Sequence, residues 1–256
     1  MEIIRFAELR SEPWRNGGGV TRELASHPKA ASAQDGVWDW RVSIAEVSKA
    51  GDFSPFPGMD RVLTVIDGEL LLLTVDGEEH PLEKYRPFRF SGDAAANGAL
   101  PTGDIRDLNV ITRAGAFKGF TSIIELSKKR AHPVFEGQLG ILLQGQASVS
   151  PGADPEAEAG PEAGPEAGPE AGPEAGPEAG PEAGPEAGPE AGPEVTAPAA
   201  ESPVAPAGES ARRAAALAGE PETLGRYDAV VGSDARSPEI LGRGFLAVVS
   251  IDRVAG

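Results

Sequence analysis

Apolar and polar residues alternate along much of this chain with a period of two, the spacing of a β-strand rather than a helix. In WDWRVSIAEV (Trp38–Val47), Trp40, Val42 and Ile44 fall on one side, and Arg41, Ser43 and Ala45 on the other. Arg61–Ile66, a turn at Asp67-Gly68, Leu70–Val75 and a turn at Asp76-Gly77 read as a meander of hairpins. Further strands are expected over Arg86–Gly92, Arg106–Arg113, Phe120–Ser127, Gly140–Ser150 and Gly242–Val254. Many short strands with few helical stretches predict an all-β sandwich or barrel.

One segment breaks this pattern completely. From Pro161 to Gly192 the tetrapeptide Pro-Glu-Ala-Gly repeats eight times without error, and a Pro/Ala/Ser-rich stretch follows. Proline every fourth residue removes helical hydrogen bonds, and almost no large apolar side chain is available to offset ordering entropy. Residues 151–222 are therefore expected to be an extended, disordered, acidic insertion, with a short marginal helix allowed over Glu209–Gly219. The thirty-odd residues beyond it are too few for a second domain. The expected organisation is a body over 1–150, the insertion over 151–222, and strands over 223–256 that complete the body. Lengthening a loop from ~5 to ~75 residues costs only ~2.4 kcal/mol, which a few buried side chains on the last strand would offset.

Charge follows the same division. The net charge is −17, but residues 151–222 hold sixteen Asp or Glu against Arg212 and Arg213, which leaves −3 for the rest. A nearly neutral body has no basic face for nucleic acid. Without cysteine, disulfides and thiolate metal sites are excluded. His27, His80 and His132 stand in no metal-ligand spacing, so no metal or other cofactor is expected. The start, MEIIRFAELRSE, does not read as a signal peptide, and the longest apolar stretch, around Leu70–Leu73, is far short of a membrane span. A cytoplasmic protein with no membrane partner is the expectation.

Three stretches carry candidate chemistry. EPWRNGGGVTREL (Glu12–Leu24) lacks the Lys-Ser or Lys-Thr of a P-loop and the spaced glycines of a dinucleotide fingerprint. It reads instead as a tight turn that brings bare backbone to a pocket, with Trp14 beside it and Asn16 and Thr21 as polar groups. GDFSPFPGMDR (Gly51–Arg61) is stiffened by prolines and anchored by Phe53 and Phe56; a cavity rim and a hydrophobic plug fit it equally. Third, arginines share strand faces with small or polar residues: Arg41 with Ser43 and Ala45, and Arg113 with Asp107 and Asn109. A solvated sandwich face explains this. So does a polar barrel lumen whose arginines are neutralised by Asp60, Asp107 and Glu46 or by an anionic ligand. No G-x-S-x-G elbow or other nucleophile motif is present.

Together, PWRNGGGVTREL, WDWRVSIAEVSKAGDFSPFPGMDRVL, FRFSGD and GDIRDLNVITR resemble the HutD/Ves family, accessory proteins of bacterial histidine utilisation. The resemblance covers roughly residues 1–150 and resumes in the last thirty. It implies a bicupin, two small β-barrels packed together without the metal-binding histidines of other cupins. It also implies a regulatory role in histidine degradation through a small carboxylate such as formylglutamate or urocanate. On matching positions, Arg41, Arg61 and Arg113 would hold carboxylates, with Asn16, Ser43 and Asn109 orienting them. Trp14, Phe53 and Phe56 would exclude water, and Thr21 and Asp60 would complete the site. No catalytic residue is assigned, and a homodimer is left open. The competing readings are a metal-free isomerase or lyase using Asp60 or Glu23 for proton transfer, and an interaction protein whose acidic arm recruits a basic partner.

Overall fold

A computed structural model describes residues 1–28, 38–152 and 220–254. The bulk of the expected disordered insertion, including the short helix over Glu209–Gly219, lies outside the described residues. Among those described, seventeen strands form three antiparallel sheets, and the only helical element is a 3-10 turn at Phe6–Glu8. None of the helices is long and apolar enough to cross a membrane.

Numbered along the chain, the largest sheet runs β1 (Glu2–Ile4), β16 (Ala229–Val231), β14 (Gln138–Ser150), β17 (Glu239–Arg253) and β12 (Phe117–Leu126). Two short strands join it, β13 (His132–Pro133) on β17 and β15 (Glu222–Leu224) on β14. The second sheet orders β2 (Ser11–Pro13), β3 (Gly19–His27), β4 (Trp40–Val47), β11 (Ile105–Arg113), β6 (Met59–Asp67) and β9 (Phe88–Ser91). The third is β5 (Gly51–Asp52), β10 (Ala96–Ala99), β7 (Leu70–Val75) and β8 (Glu78–Glu83).

The second sheet is the centre of the molecule because both of its faces are covered. Val42, Ile44, Val62, Leu108 and Val110 pack against Ile141, Leu143, Ala247 and Val249 of the large sheet. Ala45, Val47, Leu63 and Val65 turn the other way, onto Leu71 and Leu73 of the third sheet. The large sheet also curls on itself, enclosing Leu142, Val149, Val230, Ile240 and Leu246 in a core of its own. Two sheet-built units packed back to back are the bicupin that the sequence led us to expect. The face with Arg41 and Ser43 is not a solvated sandwich face: Ser43 is 3% exposed, Arg61 2% and Asp107 1%.

The last strands are integral to this arrangement. Strand β17 lies between β14 and β12 over Gly244–Ser250, and β15 pairs Glu222 with Val149. Glu222, placed by composition in the disordered insertion, is thus the first residue of a strand. The two ends of the insertion meet on one rung of an antiparallel ladder. Arg5 adds a clamp across the same seam, bonding Asp228 and Glu222 at 2.8 Å each.

Candidate functional site

The chamber lies on the inner face of the second sheet and has a volume of about 360 Å³, within the range of small-molecule sites. Strand pairing builds its wall. Ser43 lies opposite Asn109 across β4 and β11, while Arg61 lies opposite Ile111 across β6 and β11. Side chains two apart share a face, so Arg41, Ser43 and Ala45 line it together, as do Asp107, Asn109 and Ile111.

The glycine run is resolved as a hairpin turn between β2 and β3. Trp14 N–H donates to Gly19 O at 2.9 Å, Gly17 N–H to Trp14 O at 3.0 Å, and Gly18 N–H to Asn16 Oδ1 at 2.9 Å. Gly17 holds φ +65, and a Cβ on Gly19 would sit 2.4 Å from Glu46 O and 3.3 Å from the Trp14 ring. Bare backbone at Gly19 therefore lets Trp14 lie against it, where Nε1 donates to Thr21 Oγ1 at 2.8 Å. Trp14 meets Phe53 edge-on at 6.0 Å. Phe53 and Phe56 both line the chamber, so the proline-stiffened loop is a rim.

Nine of the eleven expected site residues are brought together: Trp14, Asn16, Thr21, Arg41, Ser43, Phe53, Phe56, Arg61 and Asn109. Asp60 and Arg113 are not. Asp60 precedes Arg61 on β6 and so points to the opposite face. Arg113 closes β11, with its side chain 52% exposed and paired to Asp39 at 3.0 Å. Glu12 and Asp107 line the chamber without having been placed there in advance. The sequence did put Asp107 on the right face, but as an internal partner of the arginines.

The arginines differ in what neutralises them. Arg41 Nε donates to Glu23 Oε2 at 2.8 Å, and Glu12 lies 3.8 Å from its Nη2, so Arg41 is already paired. Arg61 is not: among the described residues no carboxylate oxygen lies within the 4.0 Å of an ion pair. Its guanidinium sits over Phe90 (4.8 Å), Phe56 (5.1 Å) and Phe53 (5.7 Å), and Nη1 donates one long bond to Ser54 O at 3.4 Å. Among the described residues Nε has no partner, nor has either carboxylate oxygen of Asp107 or Oδ1 of Asn109. Burial pulls the Arg61 pKa down to about 10, opposed by the charge of Asp107. Burial pushes the Asp107 carboxyl up to about 7, opposed by Arg61. A cation held by rings rather than by an acid, beside unfilled acceptors, can take an anion that also carries donors.

A larger, more open cleft of about 610 Å³ runs past Glu46, Asp67 and Arg106. Its charges neutralise one another: Arg106 reaches Glu46 at 3.3 Å, Arg226 reaches Asp67 at 3.0 Å, and Arg22 pairs with Glu46. Burial would raise Glu46 and Asp67, but these partners hold both below the ordinary carboxylate range. With its ion pairs closed, this cleft is structural, and the smaller chamber is the candidate site. Among the described residues no group of three His, Asp or Glu is arranged to hold a metal ion.

Comparison with known proteins agrees with this architecture. The chain is 38% identical over 115 residues to Protein Ves of Citrobacter koseri, which covers 44% of this chain and 58% of that protein. It is 35% identical over 127 residues to Protein Ves of Escherichia fergusonii, covering 49% and 64% respectively. An uncharacterised 21.2 kDa protein in the hutC 3′ region of Pseudomonas putida is 38% identical over 112 residues, covering 43% and 57%. The matches thus span about three-fifths of the length of these relatives. Among solved structures, HutD from Pseudomonas fluorescens superposes with a TM-score of 0.60 at 22% identity, covering 99% of both chains. A conserved protein of unknown function from Pseudomonas aeruginosa gives 0.63 at 21%, covering 98% of both, which establishes the shared fold. The HutD family model matches residues 6–162, more than half of the sequence, and the chain belongs to the HutD family.

Proposed function

We propose that this chain is a metal-free cupin that binds a small carboxylate and so modulates histidine catabolism, as a non-catalytic accessory protein. One observation carries the reading: Arg61 is 2% exposed and faces the chamber, with no acid paired to it among the described residues. A buried cation without a counter-ion is costly, and a carboxylate that accepts two of its N–H groups would relieve that cost. Charge-assisted hydrogen bonds contribute ~1.5–3 kcal/mol each, so two of them are enough to select an anion. Family membership supports the link to histidine utilisation, as does a relative's position 3′ of hutC.

Neither Asp60 nor Glu23 supports the isomerase or lyase reading. Asp60 faces away, and Glu23 is bound to Arg41 and to Ser26 Oγ at 2.7 Å. Calorimetry of the full chain with N-formylglutamate, urocanate and glutamate tests the binding reading. One of them should bind without turnover by NMR, and Arg61→Met should weaken that binding about a hundredfold, the loss of ~3 kcal/mol. Circular dichroism checks that Arg61→Met folds, because removing one of two buried groups that act on each other is destabilising, and Arg61→Lys, which keeps the charge but not the planar fork, serves as the second variant. Failure of all three acids to bind, or equal binding by Arg61→Met, would overturn the reading.

A further inference from the structure

An anion at Arg61 leaves one group of the chamber unexplained, Asp107. It lies on the same face of the same sheet as Arg61, on the adjacent strand and four positions along the ladder, 1% exposed and with neither carboxylate oxygen partnered among the described residues. Without ligand, it supplies the nearest negative field to Arg61, although no direct ion pair joins them. When a carboxylate enters, two acids share one desolvated space with a single guanidinium, and like charges so confined do not both stay ionised.

We propose that the chamber takes up its anion together with one proton from solution, and that Asp107 carries the proton. This rests on the anion-binding reading above. For each carboxylate that enters against Arg61, the proton taken up by Asp107 then leaves the net charge of the chamber unchanged. The protonated carboxyl also becomes a hydrogen-bond donor, available to the bound anion or to Asn109 Oδ1, which has no other partner among the described residues.

Among the described residues no other group facing the chamber can take this part. On β4, Arg41 is held by Glu23 of β3 and Glu12 of β2. Asp52 on β5 is exposed and accepts from Asn97 Nδ2 at 2.8 Å, and Arg15 in the β2–β3 turn is exposed. Beyond Asp52, the third sheet packs Leu71, Leu73 and Ala96 into the adjoining core, and none of these titrates. Burial already lifts the Asp107 carboxyl to about 7 against the pull of Arg61. An anion on Arg61 cancels that pull and lifts it further. Proton uptake therefore sets in above about pH 7, where empty Asp107 is ionised, and vanishes below it, where the proton is already bound.

Calorimetry of the full chain in buffers of different ionisation heat tests this. N-formylglutamate is the first probe, because its carboxylates stay ionised and its amide does not titrate from about pH 6 to about pH 9. Glutamate and urocanate follow, with their own titration subtracted. The expected result is pH-independent affinity near pH 6. Above about pH 7, affinity should fall about tenfold per pH unit, with uptake of about one proton per anion. Asp107→Asn should flatten the profile and bind about a hundredfold tighter than wild type near pH 9. Wild-type binding with no buffer dependence and a flat profile would overturn the proposal while leaving the anion reading intact, and a slope retained by Asp107→Asn would do the same. No binding of any probe at any pH would overturn both. The wild-type titration decides even if Asp107→Asn does not fold.

Discussion

Arg61 and Asp107 are both placed where folding has to desolvate a charge without supplying its full partner, and each leans on the other at a distance. For Asp107 the consequence reaches stability as well as binding. Its folded value of about 7 lies above its ordinary 3.8. Between the two, the native protein retains a proton that the unfolded chain has released, so stability falls as pH rises through this window and levels off above it. From about pH 5 to about pH 8 the ligand-free wild type should lose on the order of 3 kcal/mol that Asp107→Asn retains. Urea unfolding at the two pH values reads this directly, and parallel losses in the two proteins would show that Asp107 is ionised throughout. Arg41 behaves differently because Glu23 accepts from it at 2.8 Å. It serves as a wall of the chamber rather than as an open cation.

Strand pairing and one turn turn these side chains into a chamber. The β2–β3 turn depends on Gly19, where any Cβ collides with the Glu46 carbonyl at 2.4 Å. Gly19→Ala should therefore push β3 from β4, displace the Trp14 ring and destabilise the protein by about 1–3 kcal/mol. Thermal unfolding, with indole fluorescence as a second signal, would detect both effects; an unchanged melting temperature would mean that the turn yields freely. Strands β4 and β11 were legible because their alternation is unbroken, and that alone put Arg41, Ser43 and Asn109 on one face. Strand β3 was not, because a register shift between Glu23 and Ala25 breaks its period against β4. Strand β10, Ala-Asn-Gly-Ala, has no large side chain to give a signal; Gly98 there leaves room for the Phe53 ring. The same register shift hid which arginine is free. Only the offset pairing of β3 with β4 shows that Glu23 reaches Arg41, and only the end position of Arg113 on β11 explains why it meets Asp39 instead of the chamber.

At the scale of the whole molecule, the chamber is assembled from residues between Glu12 and Ile111, whereas the long acidic segment leaves and rejoins the large sheet at β14 and β15. Composition alone located that segment, but not the strand that begins at Glu222, because three residues carry no periodicity. Replacing residues 153–219 with a short Gly/Ser linker should preserve cooperative unfolding. It should change stability by no more than the ~2 kcal/mol that loop closure allows. Loss of a cooperative transition would mean that the segment contributes contacts to the body. Val149 and Glu222 face each other on one rung, and Arg5 fastens the strand beyond it. A tract of identical tetrapeptides is prone to gain or lose copies when its gene is replicated. Here such drift in length meets a closed seam, so the tract can lengthen or shorten over generations without the chamber registering the change.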